Sequence, residues 1–158
     1  MTPLSKSFTL EELVFSQIAA REGIDNTPGP AHIRAMRELC ANVLQPLRDE
    51  VGMPITISSG YRCPRLNKSL GGSVRSQHME GRAADLVCFS MDTKKLFKRV
   101  LELKLPFDQL IYEGGRTSVW VHVSFDPERD RRSIMTATFP EAGGVLYEKI
   151  SRRAALKL

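Results

Sequence analysis

The sequence predicts an α+β fold, with N-terminal helices packed on a mainly antiparallel sheet. Three observations carry this expectation. Helical patterning dominates roughly the first fifty residues, strand patterning clusters after them, and no internal repeat or low-complexity stretch divides the chain. At 158 residues, the span 1–158 is expected to form one domain with enough length for a real core. The core is expected over about 8–140 and a basic tail over about 141–158.

The first helix is announced by Thr9 as N-cap and Glu12 three residues on, a capping box. Leu10, Leu13, Val14 and Ile18 follow at helical spacing, and Gly23 is a natural stop. Asp25-Asn26-Thr27-Pro28-Gly29-Pro30 reads as a loop. A second helix is expected from about Ala31 towards Asp49, burying Ile33, Met36, Leu39, Cys40, Val43, Leu44 and Leu47. Pro46 falls inside this pattern and should kink it or close its regular part. The character then changes: Pro54 to Ser58 is β-branched and short, as in a strand. Ser59 to Pro64 turns away, and Gly71-Gly72-Ser73 is a flexible bend. Ala83 to Phe89 reads as a buried strand. Asp92 can cap a third helix whose inner face is Leu96, Phe97, Val100 and Leu101. Phe107 to Tyr112 and Val119 to Phe125 read as two strands joined around Gly114-Gly115, and Ile134 to Phe139 as an edge strand.

Composition narrows the classes. Apolar content of 42% and charged content of 26% are those of an ordinary globular chain. No apolar run approaches the ~20 residues of a membrane span, and residues 1–8 lack the ~7–15-residue apolar core of a signal peptide. The protein is therefore expected to be made in the cytoplasm, without membrane insertion, and as a monomer. Three widely spaced cysteines, Cys40, Cys63 and Cys88, argue against a disulfide framework. A net charge of +5 favours anionic partners, but no nucleic-acid-binding motif accompanies it.

The chemistry concentrates in Ser76-Gln77-His78-Met79-Glu80-Gly81-Arg82-Ala83-Ala84-Asp85. His78 lies just before a strand and Asp85 within it. A loop folding back over its own strand can unite them, and Gly81, Ala83 and Ala84 leave room. Along Val119 to Phe125, alternation puts Trp120, His122 and Ser124 on one face and the valines on the other. Two imidazoles and one carboxylate, His78, Asp85 and His122, make a three-ligand set suited to one catalytic zinc ion with an open fourth position. His32 reads as a structural histidine. Cys63 and Cys88 are alternative soft ligands, with a simpler role as small buried residues.

At these residues the sequence resembles a known family. Ser76, His78, Gly81, Ala83 and Asp85 match S-x-H-x-x-G-x-A-x-D, a signature of zinc peptidases that cut peptidoglycan peptides. Ser59-Gly60-Tyr61-Arg62 matches the family's upstream S-G-Y-R, and Trp120-Val121-His122 its W-x-H. Such proteins include D-alanyl-D-alanine carboxypeptidases and phage L-alanyl-D-glutamate endopeptidases, and their fold is shared with the hedgehog domain. Phe8 to Leu13, Asn26-Thr27-Pro28 and Leu44 to Arg48 resemble the phage and prophage branch. The resemblance implies that His78, Asp85 and His122 hold zinc and that Arg62 faces the substrate. It also implies that Ser76 and Gln77 shape the ligand loop or its surroundings, and that the substrate is a peptidoglycan stem peptide; without a signal peptide, the wall is expected to be reached through a separate pore or on lysis.

One departure stands out. Several relatives carry an acidic general base three positions before the last histidine, where this chain has Val119. Glu113, at the end of the preceding strand, is the expected replacement, and Asp108 the second choice. Strand parity puts those two on opposite faces. Val119 also leaves open a second reading, a zinc-holding wall-binding or structural module of a phage assembly without hydrolytic activity.

Overall fold

In the computed structural model, residues 1–115 and 117–158 are described. Helix α1 (Leu10–Val14) starts at the expected capping box: Thr9 Oγ1 accepts from Glu12 N–H at 3.3 Å, and Glu12 Oε2 accepts from Thr9 N–H at 2.9 Å. The run towards Gly23 is two helices rather than one. Phe15 is extended (φ −61°, ψ 133°), and Ser16 caps α2 (Gln17–Glu22) by accepting from Ala19 N–H at 3.2 Å. A serine side chain that takes an amide proton itself competes with helix continuation. Gly23 ends α2 in the left-handed region, as expected.

The second helical stretch begins with Pro30 at its first position. It passes from α3 (Pro30–Leu39) through a π-helical segment (Cys40–Leu44) into α4 (Gln45–Val51). Pro46 donates no N–H, so α geometry has to be interrupted nearby. The wider turn lets Gln45 N–H reach Cys40 O, and the helix continues past the proline. Cys63 then caps α5 (Pro64–Ser69), a helix hidden behind what reads as a turn. Helix α6 (Thr93–Glu102) starts at Asp92, whose Oδ1 accepts from Lys94 and Lys95 N–H, and it buries Leu96, Phe97, Val100 and Leu101 as predicted.

Six strands form one sheet: β1 (Thr56–Ser59), β2 (Ala83–Val87), β3 (Gln109–Gly114), β4 (Val119–Ser124), β5 (Ser133–Thr138) and β6 (Leu146–Lys149). Their order is β1-β2-β4-β3-β5-β6, antiparallel except for β3 beside β5. The predicted α+β class with a mainly antiparallel sheet is therefore what the chain adopts. Two details differ. Strand β5 is internal, and the edge is β6, which is exposed along its length and so carries no alternating pattern to read. Beyond β6, α7 (Arg152–Ala155) buries Ala155 in the main core. Among the described residues no helix is long and apolar enough to cross a membrane.

The sheet has two working faces. Ala84, Leu86, Leu110, Val121 and Val123 are buried against the helices with Leu39, Leu44, Phe97 and Val100. Residues of the other parity face away. Cross-strand register aligns Asp85 with His122, His122 with Ile111, and Ile111 with Met135. That row is the floor of a cleft of ≈ 1690 Å³.

Candidate metal centre

The ligand loop is built locally. Ser76 Oγ accepts from His78 N–H at 3.3 Å, capping a single 3-10 turn over Gln77–Glu80. Gly81 closes the turn at φ 72°, and a Cβ there would lie 2.6 Å from His32 O, so glycine is required twice over. The chain then enters β2, and the turn lies back over the strand that carries Asp85, as the spacing predicts. His32 is structural: its Nδ1 accepts from Gly29 N–H, and its ring packs on Tyr61.

Three atoms converge. His78 Nε2 lies 3.2 Å from His122 Nδ1 and 3.3 Å from Asp85 Oδ1, and His122 Nδ1 lies 3.0 Å from that same oxygen. All three residues are buried. His78 Nδ1 is 2.7 Å from Gly60 O. A carbonyl only accepts, so Nδ1 carries the proton and Nε2 presents a lone pair to the other two atoms. This buried convergence of acceptors suits a cation. Donors held ~2.0–2.1 Å from a tetrahedral zinc stand about 3.3 Å apart, close to the triangle found here. The donor set of two imidazoles and one carboxylate thus fits zinc in chemistry and in spacing.

The electrostatics agree. Burial opposes ionisation of Asp85, but the two neighbouring histidines outweigh it and hold its carboxyl well below the usual range. Burial pushes His78 down despite Asp85. Burial also opposes the charge on His122, yet the Asp85 carboxylate outweighs it and holds that imidazole above its ordinary value. The second oxygen, Asp85 Oδ2, accepts from Arg62 Nη2 at 3.0 Å, and Arg62 Nε donates to Ser59 Oγ at 2.9 Å. Arg62 therefore orients a ligand carboxylate while bordering the cleft. Its backbone is fixed too: Arg62 N–H donates to His78 O at 3.1 Å. Asn26 ties the neighbouring Tyr61 O and Cys63 N–H to the end of α1.

Glu113 lies on the cleft side of β3, opposite Trp120 in register and one step along from the Ile111–His122 pair. It is 8% exposed, and burial pushes its carboxyl above the ordinary range. Asp108 is elsewhere. It is fully buried, accepting from Gln77 Nε2 at 2.8 Å and from Arg131 through Nε, Nη2 and the backbone N–H. The two carboxylates are separated, as parity predicts. Val119, at the start of β4, is not among the cleft-lining residues. Among the described residues neither Cys63 nor Cys88 joins the ligand group. Sequence reasoning missed Ser59 and Gly60 as supports of Arg62 and His78, although both lie in the S-G-Y-R segment. It also missed Arg131, which sits in an irregular turn with no periodic signal.

A family model described as Peptidase M15 matches residues 6–124, a span that contains His78, Asp85, His122, Arg62 and Glu113. No curated protein matches the chain.

Proposed function

The chain belongs to the peptidase M15 family, and from that premise we propose that it is a zinc-dependent peptidase that hydrolyses peptide bonds in peptidoglycan stem peptides. The observation that carries this reading is the triangle of His78 Nε2, Asp85 Oδ1 and His122 Nδ1 on the floor of a cleft. That cleft exceeds the ~300–1,000 Å³ of a small-molecule site. It suits an extended peptide with residues on both sides of the scissile bond.

When bound, zinc supplies Lewis acidity at the scissile carbonyl and lowers the pKa of a coordinated water to ~7. The protein supplies the rest. Glu113 takes the proton of the attacking water and passes it to the leaving amine; a partly desolvated carboxylate on the cleft wall suits both transfers. Arg62, fixed by Asp85 and Ser59, offers its remaining donors to the developing oxyanion. Gln77 and Ser76 hold the turn that aims His78. The activity serves wall degradation, in phage lysis or wall remodelling.

Val119 favours a second reading, a zinc-holding wall-binding module without hydrolysis. Incubation with purified peptidoglycan separates the two. Newly freed amino groups support the peptidase; binding without release supports the module.

A further inference from the structure

Arg129 and Arg131 line the cleft from the turn Asp126–Arg132, which lies beyond the residues matched by the family model. This turn is unusual in holding two non-glycine residues at positive φ, Asp130 (33°) and Arg132 (51°). Between them, Arg131 is clamped. Its backbone N–H and Nε reach Asp108 Oδ1 at 2.8 and 2.9 Å, and its Nη2 reaches Asp108 Oδ2 at 2.6 Å. Asp108 is 0% exposed, whereas the Arg131 side chain is 46% exposed and lines the cleft. Arg129 repeats the arrangement, bonded to Glu80 at 2.9 Å and to the buried Asp126 at 3.2 Å. Arg75 is exposed, lines the same cleft and has no ion-pair partner among the described residues.

The order of charges matters here. Asp108 and Asp126 lie behind in the protein, and the guanidinium groups lie in front. At Arg131 a ligand entering the cleft meets the guanidinium before Asp108, whereas Arg129 shares its place on the cleft lining with its partner Glu80. Arg131 Nη1 has no hydrogen-bond partner among the described residues, while Nη2, bonded to Asp108, also lies 3.4 Å from Gln77 Oε1, so the Nη1 donors remain free on a side chain already immobilised by its partners. Binding through it costs little further side-chain entropy. A peptide carbonyl can accept from these donors, but a carboxylate makes the stronger, charge-assisted bond.

Resting on the peptidase reading, we infer that Arg131, supported by Arg75, is a specificity-determining residue that grips a free carboxylate of the substrate peptide on the His78 side of the cleft. The peptide carboxylate is a recognition element separate from the scissile carbonyl, and Asp108 positions the arginine that reads it.

The test uses zinc-loaded protein and a series of synthetic stem peptides in which each free carboxylate is converted in turn to its carboxamide. For one member, amidation raises KM about 10- to 100-fold, the range of a charge-assisted hydrogen bond, while kcat changes less than about twofold. In Arg131→Lys, which keeps the charge beside Asp108 but loses the free Nη1 donors, that carboxylate-to-amide KM ratio collapses towards one. The inference is overturned if no amidation changes KM in the wild type. It is also overturned if Arg131→Lys weakens both peptides equally, as loss of general support for the His78 turn would. Cleavage of no peptide at all counts against the peptidase reading instead. Calorimetric binding of the same series then decides the inference: tighter binding of one carboxylate form supports it, and equal or absent binding overturns it.

Discussion

Gly60 O and His78 Nδ1 are joined by a 2.7 Å hydrogen bond, and its direction decides which ring nitrogen faces Asp85 and His122. Gly60 earns this place by having no side chain. A Cβ there would lie 2.2 Å from Leu13 O, because the chain crosses directly over the end of α1. The turn that carries Arg62 and the turn that carries His78 are therefore pinned to one backbone point.

Gly60→Ala should consequently act at a distance. The added methyl forces the carbonyl off His78, at a cost of about 1–3 kcal/mol in stability for overpacking. Zinc affinity should fall by about 10- to 100-fold, as for other losses of a histidine's outer partner. A chelator-competition titration alongside a denaturant melt reads both effects.

Glu113→Gln keeps shape and removes the proposed base. It should retain zinc at the wild-type stoichiometry and lose about 10²–10⁴ in kcat. Elemental analysis paired with turnover on a defined muropeptide checks the two halves together. Wild-type turnover would assign proton transfer to another group.

The Asp108–Arg131 pair makes stability depend on acid. Burial raises the Asp108 carboxyl, but hydrogen bonds from Arg131 and Gln77 outweigh it and hold the group below its ordinary range. A depressed carboxylate stabilises the fold above its unfolded value near ~4, and that contribution is lost as pH falls through the folded value. Urea midpoints should therefore drop in acid, and Asp108→Asn should flatten that part of the profile. Arg131→Met should cost more than Asp108→Asn, by about 1–3 kcal/mol, because it leaves the Asp108 carboxylate with only Gln77 and one backbone N–H as donors.

Thiol labelling gives an independent check of the core. Burial pushes the Cys40 thiol up to about 12, and Cys88 is also buried, whereas Cys63 caps α5 at partial exposure. Mass spectrometry after brief alkylation of the native protein should find Cys63 modified and the other two intact. The pattern should be the same with and without zinc.

Features set by near neighbours were legible in the chain. Thr9 and Glu12, Asp92 with its helix, and the alternating valines of β4 each follow from contacts within a few residues. The order of His78, Asp85 and His122 likewise pointed to three side chains that the structure brings together. What escaped depends on distant partners. Cys63 looks like part of a turn until its sulfur accepts the Leu66 N–H. Strand β5 reads as an edge because β6, exposed along its whole length, shows no period. Arg131 carries no signal because its partner Asp108 is 23 residues away and its turn is irregular.

The most direct test of the zinc-peptidase account is fragment mass spectrometry of one defined muropeptide incubated with protein stripped by chelator, then restored with one equivalent of zinc. The account predicts an intact muropeptide with the stripped protein and a single hydrolysed bond after zinc is restored. Cleavage by the stripped protein at the same rate, or an intact muropeptide with the zinc-loaded protein, would contradict it.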